Sequence, residues 1–270
     1  MTLPTFFDPK KTLNLIGLNE KFIFLKNLFE EKKLPKVLML SGKKGIGKAT
    51  LINHLMYFIF DKENYNVQIN EYDGKSSFYN QYTKNIFPNV IYLSGSDFKS
   101  VKIEDIRLLK KKIFQTSISE HQRFIILDDV ELFNNNSLNA LLKIIEEPSK
   151  KNNFILINNK SKPLIETIKS RCLEIQIILK EHKRKEIIET LLKKFSIRSI
   201  INFNGSQLTP GQFIKYNYIC DDKQILPSED FLKNLGILLN LYKKDKDIIF
   251  IDMILFFTDN YFTNLKNNKS

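Results

Sequence analysis

SGKKGIGKAT, residues 41–50, lies between the apolar run VLML at 37–40 and the apolar segment LINHLM at 51–56. This order predicts a strand, a glycine loop and a helix. Gly42, Gly45 and Gly47 can adopt positive φ and let the main chain close around an anion. The first N–H groups of the helix and the ammonium of Lys48 would then face a phosphate. The stretch therefore predicts a P-loop; the alternative is a lysine- and glycine-rich turn that binds no ligand.

The residue after the loop lysine departs from the P-loop pattern. G-x-x-x-x-G-K-[ST] requires a hydroxyl there to ligand Mg²⁺, and this chain has Ala49. Thr50 is not an equivalent replacement, because one step along a helix turns the side chain by about 100°. We therefore expect a formed loop that can hold ATP or ADP with Mg²⁺ but whose own ATPase activity is weak or absent.

Composition predicts a globular protein that works in the cytoplasm. The chain has 270 residues, of which 43% are apolar, enough for roughly two domains. The sequence shows neither an apolar run of membrane-spanning length nor the features of a signal peptide, so no membrane partner is expected. Cys172 and Cys220 are too few for a disulfide framework or a four-cysteine zinc module, and no zinc is expected. The net charge of +12 suits a polyanionic partner, although lysine and asparagine are abundant throughout.

The segments around the loop predict alternating helices and strands. Residues 22–29 fit an amphipathic helix that ends near 32–35, and residues 90–93 fit a buried strand. Residues 61–89 are polar, without a clear period, and are interpreted as an irregular insertion. Residues 102–114 fit a helix that leaves three lysines mostly outside: Lys110, Lys111 and Lys112. These lysines form either a solvated face or a contact with DNA phosphates.

Two further strands predict polar groups beside the P-loop. FIILDD at 124–129 is an apolar run that ends in two carboxylates, the form of a Walker B strand. Asp128 would hold the metal through its water shell, and Asp129 stands where a base for the attacking water is expected. FILINN at 154–159 ends in Asn158 and Asn159, whose amides can orient a water near a γ-phosphate. The alternative in both places is an ordinary polar turn.

Three strings together resemble the clamp-loader ATPases of the AAA+ family. They are DDVELFNNNSLNALLKIIEEP from 128, FILINN from 154 and IKSRC from 168. The GIGKAT form of the loop is similar to subunits of the δ′ type within that family, rather than the γ/τ type. The resemblance implies that Arg171 reaches into the ATP site of a neighbouring subunit. It also implies as partners the other clamp-loader subunits, δ and γ/τ, the sliding clamp, and primed DNA held through its phosphates.

Three departures from that family weaken the case for hydrolysis. Asp129 replaces the glutamate base, Gln212 stands where the sensor-2 arginine is expected, and residues 61–89 lack the zinc-module cysteines. We therefore expect an accessory subunit that helps to load the clamp. An ATP-hydrolysing motor of γ/τ type and a P-loop nucleoside-phosphate kinase are the alternatives.

The predicted architecture is α/β in its first part and all-α in the remainder. Residues 1–179 form an AAA+ core with a parallel five-stranded sheet, 180–220 a helical lid and 221–270 a short collar-like domain. Residues 183–195 and 205–218 are predicted lid helices, and Ser228 is predicted to cap the next helix. Arg171 is expected at the end of a short helix begun near Pro163. The alternative for Arg171 is a surface pair with a local acid such as Glu174.

Overall fold

The computed structural model of the chain describes residues 3–96, 101, 103–114, 122–203, 206–226 and 230–267. The chain divides into two compact units, one of Thr5–Lys183 and one that contains Arg184–Ser270. The predicted division of the second unit into a lid and a collar stays a prediction.

The first unit is built on a parallel sheet. Its strands, and those of a small hairpin, are β1 (Val37–Ser41), β2 (Tyr65–Asn66), β3 (Glu71–Tyr72), β4 (Val90–Ser94), β5 (Arg123–Asp128), β6 (Asn152–Asn158) and β7 (Leu173–Gln176). The five-stranded sheet has the order β4-β5-β6-β1-β7, and every neighbouring pair is parallel. The predicted parallel five-stranded sheet is confirmed. β1 lies inside the sheet, which places the residues that follow it beside the ends of β6 and β7.

Helices cover the sheet and make up the second unit. They are α1 (Asn19–Glu30), α2 (Lys48–Phe60), α3 (Ser77–Thr83), α4 (Ile103–Phe114), α5 (Asn135–Ile145), α6 (Glu166–Lys169), α7 (Glu181–Phe195), α8 (Pro210–Asp222), α9 (Phe231–Asp245) and α10 (Ile248–Asn267). Short 3-10 helices are formed by Thr5–Phe7, Lys62–Asn64 and Val130–Leu132.

The strands β1, β5 and β6 are nearly continuous buried runs because both faces of the sheet are covered there, whereas the edge strand β7 is largely exposed. Along β1, Leu38 and Leu40 pack into a hydrophobic cluster with α1 and α2, while Val37 and Met39 pack into a second cluster with α4 and α5. Alternate residues of a strand point to opposite faces, so these central strands contribute to both clusters.

Residues 61–89 are not an irregular insertion, and that interpretation of the sequence was wrong. The segment forms a 3-10 helix, the β2-β3 hairpin and α3, and its aromatic side chains pack on α2. Tyr57 and Tyr72 stack with ring centroids 4.2 Å apart, and the Tyr82 hydroxyl donates to Asn53 Oδ1 at 2.6 Å. Aromatic burial organises this segment without a helical or strand period, which is why periodicity missed it.

Several predicted helices are confirmed with shifted ends. The Asn134 side chain caps α5 by accepting from the Ser137 N–H at 2.8 Å. α6 begins at Glu166, three residues later than expected from Pro163. Ser228 and Gly205 lie outside the described residues, and the cap of α9 is Asp230, which accepts from the Leu232 N–H at 2.9 Å.

The secondary-structure elements described in the second unit are all helices, as predicted. Phe231 at the start of α9 stacks on Tyr261 near the end of α10, with centroids 4.1 Å apart, so these two helices pack antiparallel. Among the described helices none combines the length and the apolar character needed to cross a membrane.

Candidate functional site

The predicted phosphate site lies at the carboxyl edge of the sheet. Because the strands are parallel, the loop after β1, the end of β5 and the end of β6 meet at this edge. Gly42 N–H donates to the Asn158 carbonyl at 3.1 Å, which joins the loop directly to β6. The fold therefore brings together the P-loop, Asp128, Asp129, Asn158 and Asn159, as the sequence predicts.

The loop has a conformation that requires glycine at two positions. Gly42, Gly45 and Gly47 have φ values of 153°, 81° and 99°. A Cβ at Gly42 would lie 2.6 Å from the Ile177 carbonyl oxygen, and one at Gly47 would lie 3.0 Å from Leu18 Cδ1. Both positions combine left-handed backbone with a close neighbour. The loop is thus a formed, tightly packed turn at the start of α2.

Lys48 lies against its own loop. Its side chain is 2% exposed, and its Nζ donates to the carbonyls of Gly42 at 2.6 Å and Lys43 at 2.9 Å. Burial lowers the pKa of Lys48 to about 8, although the carboxylates of Asp128, Glu131 and Asp129 oppose that shift. The carbonyls of Gly42 and Lys43 thus accept the hydrogen bonds that Lys48 would donate to a bound phosphate. A phosphate ligand has to displace these carbonyls from the Lys48 ammonium.

The residue directly after Lys48 supplies no metal ligand. Ala49 is partly buried and packs against the hydrophobic cluster of α1 and α2. Thr50 follows it in the first turn of α2 and is also partly buried. An alanine methyl in that place cannot bind Mg²⁺, so the hydroxyl ligand expected of a P-loop is missing.

Asp128 is held by hydrogen bonds to both of its carboxylate oxygens. Oδ2 accepts from the Tyr92 hydroxyl, and Oδ1 accepts from the Asp129 N–H at 2.9 Å. Burial and the charge of Asp129 raise the pKa of Asp128 to about 6. Burial also raises the pKa of Tyr92, so its hydroxyl keeps the proton that it donates. Tyr92 was missed by sequence reasoning, since an apolar strand gave no sign that its hydroxyl turns to the carboxylate.

Asp129 is a buried partner of Asn159. It has a left-handed backbone with φ of 50°, its Oδ1 accepts from Asn159 Nδ2 at 2.6 Å, and its Oδ2 accepts from Ser94 Oγ at 3.5 Å. A non-glycine residue in this conformation needs support from its surroundings. The contacts show Asp129 as a fixed acceptor within the protein.

The two asparagines at the end of β6 have different roles. Asn158 is buried, and its Oδ1 accepts from the Lys160 N–H at 2.8 Å, which shapes the turn. Asn159 instead directs its amide to Asp129. The polar-turn alternative therefore fits Asn158, and Asn159 is the asparagine that reaches the carboxylates.

Glu131 is a buried site residue that the sequence analysis missed. Its side chain is 4% exposed, its two oxygens accept from the Asn159 N–H at 3.1 Å each, and Oε1 accepts from Ser161 Oγ at 2.7 Å. It therefore fixes the loop that follows β6. Its position just after the aspartate pair was the one available signal.

Arg171 lies at the opposite edge of the sheet from the P-loop. It follows α6 and precedes β7, whose Leu173 pairs with Leu38 near the start of β1. Its Nη2 lies 2.8 Å from Glu146 Oε1, and its Nη1 donates to the Thr167 carbonyl at 3.0 Å. Its side chain is 33% exposed. The alternative of a surface pair with an acid is what the structure shows, but the acid is Glu146 and not Glu174, whose carboxylate accepts from Ser41 Oγ.

Gln212 takes part in capping the N-terminus of α8 in the second unit. Its Oε1 accepts from the Thr209 N–H at 3.1 Å and from Thr209 Oγ1 at 2.9 Å, which forms a capping box. A role of Gln212 at a nucleotide stays a prediction.

The lysines predicted to contact DNA lie on α4. Lys110 and Lys111 are exposed, and the side chain of Lys112 lies outside the described residues. Ile106, Leu109 and Ile113 form the buried face of α4. Contact with DNA phosphates stays a prediction. Within the described part of the chain there is no group of three or more His, Cys, Asp or Glu residues placed to hold a metal ion.

Comparisons with known proteins identify a family. Residues 17–181, more than half of the chain, match the family described as DNA polymerase III, delta subunit. DNA polymerase III subunit gamma of Buchnera aphidicola subsp. Schizaphis graminum is 28% identical over 63% of this chain and 45% of its own length. DNA polymerase III subunit delta′ of Buchnera aphidicola subsp. Acyrthosiphon pisum is 27% identical over 89% of this chain and 76% of its own length.

Among solved structures, one that is similar to this chain is the RuvB Holliday junction branch migration motor of Thermotoga maritima, with 18% identity and a TM-score of 0.48. The superposition includes 86% of this chain and 73% of the RuvB chain. The chain spans about half the length of the gamma relatives that it matches. On the match over residues 17–181, the chain belongs to the DNA polymerase III delta subunit family, a clamp-loader family of the AAA+ class.

Proposed function

We propose that this chain is a δ′-type clamp-loader subunit that supplies Arg171 to the ATP site of a neighbouring subunit. In that role it helps to place a sliding clamp on primed DNA in the cytoplasm, as part of a hetero-oligomer with δ and γ/τ subunits. Support comes from the family match and from relatives named as delta′ and gamma subunits of DNA polymerase III.

The placement of Arg171 carries the proposal. Arg171 precedes β7, whereas the P-loop follows β1 at the other edge of the same parallel sheet. At about 3.3 Å per residue, β7 alone separates the two edges by roughly 13 Å, longer than an arginine side chain reaches. The side chain points to Glu146 instead. A partly exposed guanidinium on this edge is therefore available to another molecule and not to its own loop.

The chemistry of the guanidinium suits a site on a neighbour. Its planar fork matches phosphate oxygens, and a cation that enters from outside stabilises the charge that develops on a γ-phosphate. The Arg171–Glu146 pair is exposed, and such pairs contribute little to stability. A phosphate on a partner can therefore replace Glu146 at small cost to the fold.

The chain's own site supports the accessory role. Ala49 offers no hydroxyl, and the Asp129 carboxylate accepts from Asn159 and Ser94. A general base has to hold the attacking water within hydrogen-bond reach. Asp129 is one methylene shorter than a glutamate base and its Oδ1 is already held by the Asn159 amide, so it reaches less far towards an attacking water.

Contact with DNA through Lys110 and Lys111 belongs to the same proposal. Such contacts would be made to phosphates without choice of sequence, because loading has to work at any primed junction. The logarithm of the DNA-binding constant should fall linearly with the logarithm of the salt concentration, with a slope of roughly one per phosphate neutralised.

The test is Arg171→Ala in a complex reconstituted from this chain, the δ and γ/τ subunits and the clamp. We expect the complex to assemble while its DNA-stimulated ATPase rate falls about 10³-fold or more, the lower end of measured arginine-finger effects. Arg171→Lys should rescue poorly, because a point charge does not reproduce the fork. Arg198→Ala, which removes another exposed arginine, is the matched control. An Arg171→Ala complex that loads clamps at the normal rate would overturn the proposal.

A motor subunit of γ/τ type is the second candidate. The gamma relative and the formed loop around Lys48 favour it. The missing hydroxyl at Ala49 opposes it, and ATP turnover by the purified chain decides between the two.

A further inference from the structure

We propose that four lysines at the amino edge of the parallel sheet, the edge at which its strands begin, form a binding surface for the phosphate backbone of a nucleic acid. They are Lys32, Lys36, Lys150 and Lys151, and we call them the amino-edge lysine group. The inference rests on the proposed function in one respect, because primed DNA is the polyanion of that function. It differs in place, since Lys110 and Lys111 lie on α4.

The group is brought together by the pairing of β1 with β6. Lys36 immediately precedes β1, and Lys150 and Lys151 immediately precede β6. The two strands are parallel neighbours, and the Phe154 N–H donates to the Lys36 carbonyl at 2.8 Å. The Lys36 Nζ crosses to the other loop, where it donates to the Lys150 carbonyl at 2.5 Å. Lys32 is four residues before Lys36, which limits their separation to about 14 Å.

The positive charge of the group is not neutralised within the described part of the chain. Lys32, Lys150 and Lys151 are exposed, and no described carboxylate lies within ion-pair distance of any of the four lysines. Lys36 is partly buried, yet the acceptors of its ammonium are neutral, the Lys150 carbonyl and Asn153 Oδ1 at 3.4 Å. Burial lowers the pKa of Lys36. A bound anion would supply the counter-ion that the group lacks.

Other cations on the same edge do have acidic partners. Lys33 lies 2.8 Å from Glu31, and Arg171, just before β7, lies 2.8 Å from Glu146. The lack of counter-ions therefore distinguishes the amino-edge lysine group from the cations beside it. The four lysines have no internal ion pair to break before they bind a phosphate.

The side chains of the two loops favour a nucleic-acid backbone over a protein as the partner. Protein interfaces are depleted in lysine, and their binding energy is concentrated in buried aromatic side chains and arginine. Residues 31–36 and 149–151 expose no large apolar side chain. Phosphates recur along a nucleic-acid strand, so several ammonium groups can be neutralised at once. Such a surface should bind without choice of sequence.

The experiment measures the fluorescence anisotropy of labelled single-stranded DNA, duplex DNA and a primed junction with the purified full-length chain. Salt is varied from roughly 50 to 200 mM. We expect binding that weakens with salt, and the DNA that binds most tightly identifies the form that the surface recognises. Polyglutamate of equal charge that displaces the label as well as unlabelled DNA does would overturn the inference.

A double variant, Lys150→Gln with Lys151→Gln, locates the surface. It should weaken DNA binding at least about fivefold and make the log–log salt slope shallower by about one to two units. Lys36 is left in place because its ammonium joins the two loops. Lys243→Gln with Lys244→Gln is the matched control, because it removes another adjacent exposed pair, on α9.

The control variant should change the DNA affinity less than about twofold, because its lysines lie in the other unit. Equal losses in the two double variants would show a nonspecific effect of net charge and would overturn the inference. An unchanged affinity and salt slope in the Lys150, Lys151 variant would overturn it as well.

Glu147→Gln tests the surface in the opposite direction. Glu147 is an exposed acid three residues before Lys150 and should repel a bound phosphate. Its neutralisation should tighten DNA binding about two- to threefold, the size expected of one exposed charge contact. Unchanged or weaker binding would contradict the placement of the phosphates at this edge.

Assembly separates this inference from the proposed function. A chain with Lys150→Gln and Lys151→Gln should still assemble with δ and γ/τ subunits, and the complex should reach the parent ATPase rate at saturating DNA. Failure to assemble, together with normal DNA binding by the purified variant, would show that the surface contacts a protein and would overturn the inference. A normal ATPase rate in Arg171→Ala would instead overturn the proposed function alone.

Discussion

The two edges of the parallel sheet present polar groups in opposite ways. At the carboxyl edge, Lys48 donates to its own loop, and Asp128 and Asp129 accept from neighbouring side chains. At the amino edge, Arg171 is partly exposed and is held by Glu146 and a carbonyl. The first edge is internally satisfied, whereas the second holds a cation through a surface pair that costs little to break.

This difference separates a formed site from an active one. Groups that are fixed by internal hydrogen bonds give a rigid loop, but each of them has to exchange or share a protein contact before it can serve a ligand. The weakly held guanidinium has the opposite property. We infer that the contribution of this chain to ATP hydrolysis is made at the amino edge, in the site of another subunit.

The largest expected effect is the absence of ATP turnover by the purified chain. With no hydroxyl at Ala49 and an aspartate, Asp129, in place of the glutamate base, turnover should lie at least about 100-fold below the low end of ordinary enzyme rates, about one per second. A radiometric phosphate-release assay with Mg²⁺ measures it, and Lys48→Ala is the control. A metal-dependent rate near one per second that disappears in Lys48→Ala would make the carboxyl edge the active one.

A second prediction concerns the rigidity of the carboxyl edge. Gly42→Ala should lower the free energy of unfolding by about 3–4 kcal/mol, because its Cβ would meet the Ile177 carbonyl at 2.6 Å and the backbone is left-handed. Gly236→Ala on α9 is the matched control, since a Cβ there meets no atom within 4 Å. That variant should be stabilised by about 0.5–1 kcal/mol. Urea denaturation of both variants makes the comparison, and a neutral Gly42→Ala would contradict a tightly packed loop.

The third prediction is that acid weakens the helix that carries the loop lysine. His54 on α2 is buried between the Tyr65 hydroxyl at 2.9 Å and the Thr12 carbonyl at 3.1 Å. Because the carbonyl can only accept, Nε2 carries the proton and Nδ1 accepts from Tyr65. Burial lowers the pKa of His54 from 6.5 to about 4. The folded state therefore resists protonation that the unfolded state accepts.

The sign of the effect follows from that lowered pKa. Above pH 6.5 the His54 contribution is fully present, and it is lost as the pH falls towards 4. The loss should amount to roughly 3 kcal/mol over this interval. Denaturation at several pH values should show this slope in the parent chain and lose it in His54→Asn. An identical slope in both proteins would show that another group causes it.

The smallest expected effect is at the amino edge. Glu146→Gln removes the acid that holds Arg171, yet it should change the free energy of unfolding by less than about 1 kcal/mol, because the pair is exposed. In the reconstituted complex the variant should hydrolyse ATP at the parent rate or faster, because Arg171 no longer has to break its ion pair with Glu146 before it contacts a phosphate. A variant that assembles but loses ATPase activity would show that Glu146 positions Arg171 for catalysis.

The sheet and the loop could be predicted from the sequence because local patterns determine them. Apolar runs such as residues 37–40 and 124–127 indicated buried parallel strands, and the glycine spacing indicated the turn at Gly42 and Gly47. The same reasoning left Asn158 and Asn159 equivalent, because it did not fix where the strand ends. In the structure only Asn159 turns its amide to Asp129.

The remaining site residues depend on tertiary contacts that no local pattern encodes. Tyr92 reaches Asp128 across neighbouring strands, and Glu131 accepts from a loop 28 residues further along the chain. Glu146 meets Arg171 over 25 residues. In each case the partner is brought close by the order of the strands, so the contact follows from the topology and not from spacing in the sequence.

The most direct test of the account compares the two edges within one assembled complex. Lys48→Ala and Arg171→Ala are made separately in this chain, and DNA-stimulated ATP hydrolysis is measured after each complex has been shown to assemble. We predict that Lys48→Ala leaves the rate within about twofold of the parent, while Arg171→Ala lowers it about 10³-fold. A large loss in Lys48→Ala together with a normal rate in Arg171→Ala would contradict the account, because the chain would then act through its own P-loop.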